Sequence, residues 1–118
     1  MVSNNTIQKE SNCRMMSHGG YCPKPLEVAS SFLSKKWTIS IVTTIGNFKK
    51  IRFNDIESRV EGITPKTLAE RLKELEKEDI INRLAFNEIP PRVEYSLTKK
   101  GMKLRESLGP LIKWAEEQ

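Results

Sequence analysis

The sequence predicts one mainly α domain with a small β-hairpin, an α+β arrangement dominated by helices. Three observations predict it. Apolar residues recur at helical spacing in segments on both sides of residue 80. Two of those segments are separated by only Glu61, Gly62 and Ile63. Between Ile81 and Leu97 the period changes from about 3.6 to 2, around a Pro90-Pro91 pair. The 118 residues suffice for one modest core and are too few for two.

Residues 1–20 are polar, lack periodicity and end in His18-Gly19-Gly20, so they are expected to be a flexible arm ahead of a single domain, 21–118. From Pro25, Leu26, Ala29, Phe32 and Leu33 fall at helical spacing. The next segment, WTISIVTTIG, is ambiguous. Its β-branched residues favour a strand, while Trp37, Ile41, Thr44 and Ile45 would share one helical face. RFNDIESRVEG reads as a short helix with Phe53, Ile56 and Val60 on one side. Asn54 and Glu57 are spaced as a capping box, and Gly62 suits a left-handed stop.

ITPKTLAERLKELEKEDII begins sharply. Thr64 can cap the helix, and Pro65 fits a first turn where no amide donor is needed. Leu68, Leu72 and Leu75 make the stripe that faces a core. Lys66, Thr67 and Arg71 give the leading turns a basic outer surface against Glu70 alone, whereas the later turns alternate Lys and Glu like any solvated helix. INRLAF then places Leu84 and Phe86 on one face and Arg83 on the other; VEYSL aligns Val93, Tyr95 and Leu97. NEIPPR between them reads as a hairpin with a stiff tip presenting Arg92. Thr98 caps a last helix with the stripe Leu104, Leu108, Leu111 and Ala115, widened by Ile112 and Trp114; Pro110 is expected to kink it.

Composition narrows the function classes. Net charge is +5 with a pI of about 9.3, which favours polyanionic partners without choosing among them. No apolar run reaches transmembrane length, and MVSNNTIQKESNCR lacks the apolar core of a signal peptide, so no membrane association and a cytoplasmic location are expected. In that compartment Cys13 and Cys22 are expected to be reduced. Cys13, His18 and Cys22 offer three metal ligands without a fourth, at spacing unlike zinc motifs; no metal or other cofactor is expected. One histidine, no Cys-x-x-Cys and no glycine-rich phosphate loop leave an enzyme without candidate catalytic residues.

Two helices joined by three residues and followed by a hairpin describe a winged helix-turn-helix. In that design the second helix enters the DNA major groove by its N-terminal residues. Lys and Arg can pair with guanine acceptors, Thr can contact a thymine methyl, and the free amides of the first turn attract phosphate. An Arg on a stiff hairpin suits a narrow minor groove. Each feature alone is more often an ordinary solvated surface, Lys35-Lys36 and Lys49-Lys50 included. Their combination is what points to DNA.

GITPKTLAERLKELEKEDIINR followed by IPPRVEYSLTKKG closely resembles the HxlR family of transcription regulators, relatives of MarR-type winged helices. The resemblance runs from Tyr21-Cys22-Pro23 to Trp114, with KW at Lys36-Trp37 and RF at Arg52-Phe53 as further motifs. It implies that WTISIVTTIG is helical. It also implies a homodimer through terminal helices, one subunit per half-site of a double-stranded operator. Thr64, Lys66, Thr67, Arg71 and Arg92, with Lys49 and Lys50, are then the expected DNA contacts. One departure is visible: Ser34-Lys35 stands where relatives usually carry two glycines, which puts the shape of that turn in doubt. The resemblance further implies an oxidant or small-molecule effector sensed at Cys22, for which a thiolate near Lys24 would be required; the alternative is an inert thiol buried in the dimer seam. Cys13 is a candidate resolving partner, although on so polar an arm an incidental exposed thiol is the simpler reading. The expected function is therefore a sequence-specific regulator, most simply a repressor. Its rivals are a winged helix used only for protein contact and a thiol-based redox enzyme.

Overall fold

The computed structural model describes residues 19–118. Five helices and a three-stranded antiparallel sheet follow in the order α1 (Lys24–Leu33), α2 (Thr38–Gly46), β1 (Ile51–Arg52), α3 (Phe53–Arg59), α4 (Pro65–Lys77), β2 (Ile81–Phe86), β3 (Arg92–Leu97) and α5 (Lys99–Glu116). The His18 and Cys13 expectations lie outside the described residues.

The ambiguous segment is α2, as the resemblance implied. Ile41, Val42 and Ile45 are wholly excluded from solvent at its centre. The hydroxyls of Thr43 and Thr44 donate to the carbonyls of Ile39 and Ser40, 2.9 and 2.8 Å away, so these threonines are satisfied within the helix. Burial of three large side chains outweighs a β-propensity that spans only about 1 kcal/mol.

The turn into α2 contains no glycine. Trp37 adopts a left-handed conformation (φ 81°) there, unusual for a bulky residue. Its ring packs on the core, 4.8 Å from the Lys36 ammonium. Gly62 (φ 89°) makes the tight reversal between α3 and α4, and a β-carbon there would lie 3.4 Å from the same tryptophan ring. The left-handed stop read from the sequence is therefore present.

The capping box at Asn54 is not. α3 begins two residues earlier than such a cap requires, at Phe53, with Arg52 as its N-cap and no side-chain cap bond. Strand β1 leads straight into the helix, because Ile51 and Arg52 pair with Tyr95 and Glu94 of β3. That pairing fixes the entry and leaves Asn54 within the first turn.

Leu68, Leu72 and Leu75 of α4 are buried in the one core cluster, as the stripe predicts. The helix ends in a Schellman-type closure: Ile80 N–H donates to Leu75 O (2.9 Å) and Asp79 N–H to Glu76 O (3.0 Å), with Asp79 left-handed at φ 61°. The sheet order is β1-β3-β2. Its inner face carries Ile81, Val93, Tyr95 and Leu97, while Leu84 and Phe86 lie on the outer face opposite Glu94 and Arg92. The Thr98 hydroxyl accepts from Gly101 N–H at 2.9 Å, capping α5 as expected. That helix runs on through Pro110; Leu108 is its last buried residue, and everything beyond it is exposed.

Candidate nucleic-acid interface

The leading turn of α4 is outward-facing. Thr64 is the N-cap, extended at φ −87°, and its hydroxyl oxygen accepts from Thr67 N–H at 3.2 Å. The same hydroxyl donates to Thr67 Oγ1 at 2.9 Å, which leaves the Thr67 proton free to point outward. Lys66 is exposed, and among the described residues no ion pair or hydrogen bond holds its ammonium. The turn therefore offers a free cation, two hydroxyls and the unsatisfied amides of a helix start, all suited to an anion.

Arg71, one turn further on, is arranged differently. Its Nε donates to Lys36 O at 3.0 Å and its Nη1 to Glu74 Oε1 at 2.9 Å, and the side chain is 19% exposed. Lys35 also pairs with Glu74. Together these bonds clamp α4 to the Ser34–Trp37 turn, on the side where Trp37 is left-handed. Burial alone would raise the Glu74 carboxyl. The hydrogen bonds and charges of Lys35 and Arg71 prevail and hold it below the usual glutamate value. Thus the guanidinium expected to face DNA fixes the setting of the helix that carries Thr64, Lys66 and Thr67.

The hairpin doubles back beside α4. Leu72, Lys73 and Glu76 of the helix share a cleft with Arg83 of β2 and Tyr95 of β3. Arg92 is not at the tip of the hairpin loop but at its base, as the first residue of β3 opposite Phe86. Its guanidinium stacks 3.9 Å from the Phe86 ring and lies between Glu88 (3.3 Å) and Glu94 (3.7 Å). The tip presents the fully exposed Ile89 with Pro90.

Lys49 and Lys50 stand apart from this group. They precede β1 in an exposed turn, and Lys49 lies near Leu97 and α5, about 17 Å along β3 from Arg92 at 3.3 Å per residue. Arg52 was not singled out from the sequence. It is exposed and lines one cleft with Pro91 and Arg92, which places a second guanidinium at the base of the hairpin. Only the two-residue pairing of β1 brings it there, and a strand that short has no readable period. Cys22 is half-buried just ahead of α1 and is not a free thiol, which departs from the reduced state expected for it. No group of three or more metal-ligating side chains occurs among the described residues.

Comparison with known proteins gives the same architecture a family. The HxlR-like helix-turn-helix family matches residues 32–118. The uncharacterized HTH-type transcriptional regulator YvaP of Bacillus subtilis (strain 168) is 42% identical over 102 residues, covering 86% of this chain and 93% of YvaP. A solved structure described as a possible HxlR family transcriptional factor from Thermoplasma volcanium GSS1 superposes with a TM-score of 0.73 at 32% identity, over 86% of this chain and 90% of that one. The reduced form of the transcriptional regulator YodB from B. subtilis gives a TM-score of 0.69 at 38% identity, over 81% and 92%. YodB has also been solved bound to quinone and after diamide treatment. On the strength of the matched family, the relatives' regulator names and the shared winged architecture, this chain belongs to the HxlR family of helix-turn-helix transcriptional regulators.

Proposed function

We propose that the protein is a homodimeric repressor that reads a two-fold operator with the leading turn of α4. The observation that carries this is the exposed, capped start at Thr64–Thr67, with Lys66 unengaged and the hairpin strands sharing a cleft with the later turns of the same helix. Lys66 and Thr67 contact base edges, and Thr64 with the first-turn amides contacts phosphate. Arg92 and Arg52 follow the adjacent backbone or minor groove, Lys49 and Lys50 supply outlying phosphate contacts, and Arg71 acts chiefly by positioning α4. Homodimerisation is supported by the apolar side chains that α5 and α1 leave uncovered. The two recognition helices then address half-sites about one DNA turn apart, roughly 34 Å.

We further propose that the affinity for DNA responds to oxidants or electrophiles through Cys22, with Cys13 as its resolving partner. The engaged state of Cys22 and the quinone and diamide structures of YodB support that reading. A cytoplasmic location is consistent with it, and none of the described helices is long and apolar enough to cross a membrane.

A protection footprint on the DNA flanking the protein's own gene tests the main reading. A protected two-fold site is expected. Binding that is indifferent to sequence would instead favour a winged helix used for protein contact. For the thiol, operator affinity is measured before and after mild diamide, in wild type and Cys22→Ser. The treatment should change affinity in wild type and leave the variant unmoved; an unaffected wild type would end the sensing hypothesis.

A further inference from the structure

A cavity of about 340 Å³ opens where α2, the loop before β1, the end of β3 and α5 meet, away from the DNA-facing turn. That volume lies at the lower end of the range that small-molecule sites occupy, roughly 300–1,000 Å³. Its apolar wall is Phe48, Leu97 and Met102; its charged groups are Lys49, Arg105 and Glu106. Phe48 and Met102 are 39% and 54% exposed, so apolar surface is open to an occupant. The Arg59 guanidinium lies 4.6 Å from the Phe48 ring and adds a third cation to the neighbourhood.

Arg105 is the organising residue. Its Nη2 donates to Asn47 Oδ1 at 2.7 Å, while its Nε is buried with no hydrogen-bond partner. A buried donor without an acceptor is uncommon and calls for a reason. The side chain reaches this position only because residue 46 is glycine: a β-carbon there would stand 2.0 Å from Arg105 Cδ and 2.4 Å from Nε. Gly46 thus forms a floor over which the guanidinium is laid into the cavity wall.

We propose that this cavity is a binding site for a small apolar monocarboxylate. The carboxylate pairs with Arg105 and Lys49, and the hydrocarbon or ring rests on Phe48, Leu97 and Met102. Planar guanidinium groups suit carboxylates, and an apolar body removes the exposed Phe48 and Met102 surface from water. Glu106 on the same rim disfavours a second negative charge, which selects monoanions over dianions. The site shares Lys49 with the proposed outlying phosphate contacts and otherwise uses none of the residues assigned to DNA.

The test is an NMR titration of the intact protein with benzoate and hexanoate, using neutral benzamide as control. Saturable shifts are expected at the amides of Gly46, Asn47 and Lys49 and at the Met102 methyl. Arg105→Gln should weaken benzoate about tenfold, as expected for losing one charge-assisted pair. Because Arg105 packs over Gly46, two exposed positions provide an independent check: Lys49→Gln should weaken benzoate and Glu106→Gln should tighten it. No binding of either carboxylate, equal binding of benzamide, shifts confined to α4, or an unchanged affinity in both Lys49→Gln and Glu106→Gln would overturn the proposal.

Discussion

Arg71 illustrates how one residue can fix the setting of the helix proposed to read DNA. Two of its guanidinium nitrogens are bonded to Lys36 O and Glu74, and truncation would leave a carbonyl and a carboxylate short of donors. Arg71→Ala is therefore expected to destabilise the fold by about 1–3 kcal/mol in denaturant melts. Specific operator affinity should fall with it through loss of helix placement, and a fold of unchanged stability would refute the clamp. Glu74 gives the pH counterpart. Its carboxyl titrates below the ordinary value of 4.5, so the clamp's ionic contribution is complete above pH 4.5 and is lost as pH falls through the lowered folded value. Thermal midpoints of wild type and Glu74→Gln should accordingly differ most near neutrality and converge in acid. A gap that is constant with pH would show that the charge does not contribute.

At the scale of the element, α4 is closed at both ends by different devices, and each makes a prediction. Thr64→Ala removes the acceptor for Thr67 N–H and should cost about 1 kcal/mol of stability, with weaker operator binding because the first turn frays. Asp79 holds the left-handed position of the Schellman closure, a conformation that favours glycine. Asp79→Gly should raise stability by about 0.5–1 kcal/mol in the same melts. The Thr64 cap and the leucine stripe were legible in the sequence because both are local patterns written within one helix. The left-handed end was not, since Asp79 is no glycine and only the bond from Ile80 to Leu75 reveals it. Nor could α2 be read from its own residues: seven β-branched side chains from Thr38 to Ile45 obscured a helix decided by burial. Asn54 misled in the other direction, because a strand pairing some forty residues away sets where α3 begins. A similar distance in sequence hid the bond from Arg71 to Lys36 O and the approach of Arg52 to Arg92. Of the candidate site, the capped and exposed leading turn was legible in the sequence; how the charged residues beyond that turn are tied to one another was not.

For the molecule as a whole, the last helix divides at Leu108. Its first half closes the core with Leu104 and Leu108, whereas Leu111, Ile112 and Trp114 are 53%, 38% and 59% exposed. Tyr21 and Leu26, at and before α1, are 80% and 68% exposed. A chain with its own core closed gains nothing from two uncovered apolar surfaces, and contiguous patches of this kind commonly mark an interface. In a two-fold dimer the same patch meets itself, so one substitution acts twice. Leu111→Glu with Trp114→Glu places four carboxylates in such an interface while leaving Leu104 and Leu108 in place. The expected outcome is a monomer by light scattering, with the helical content of the wild type by circular dichroism. Operator affinity should fall by several orders of magnitude, because each free subunit then holds only one half-site. Since fewer phosphates are contacted, the dependence of log affinity on log salt should also lose about half its slope. A wild-type protein that is monomeric at micromolar concentration, or a double variant that still dimerises, would remove the exposed outer half of α5 from the proposed interface.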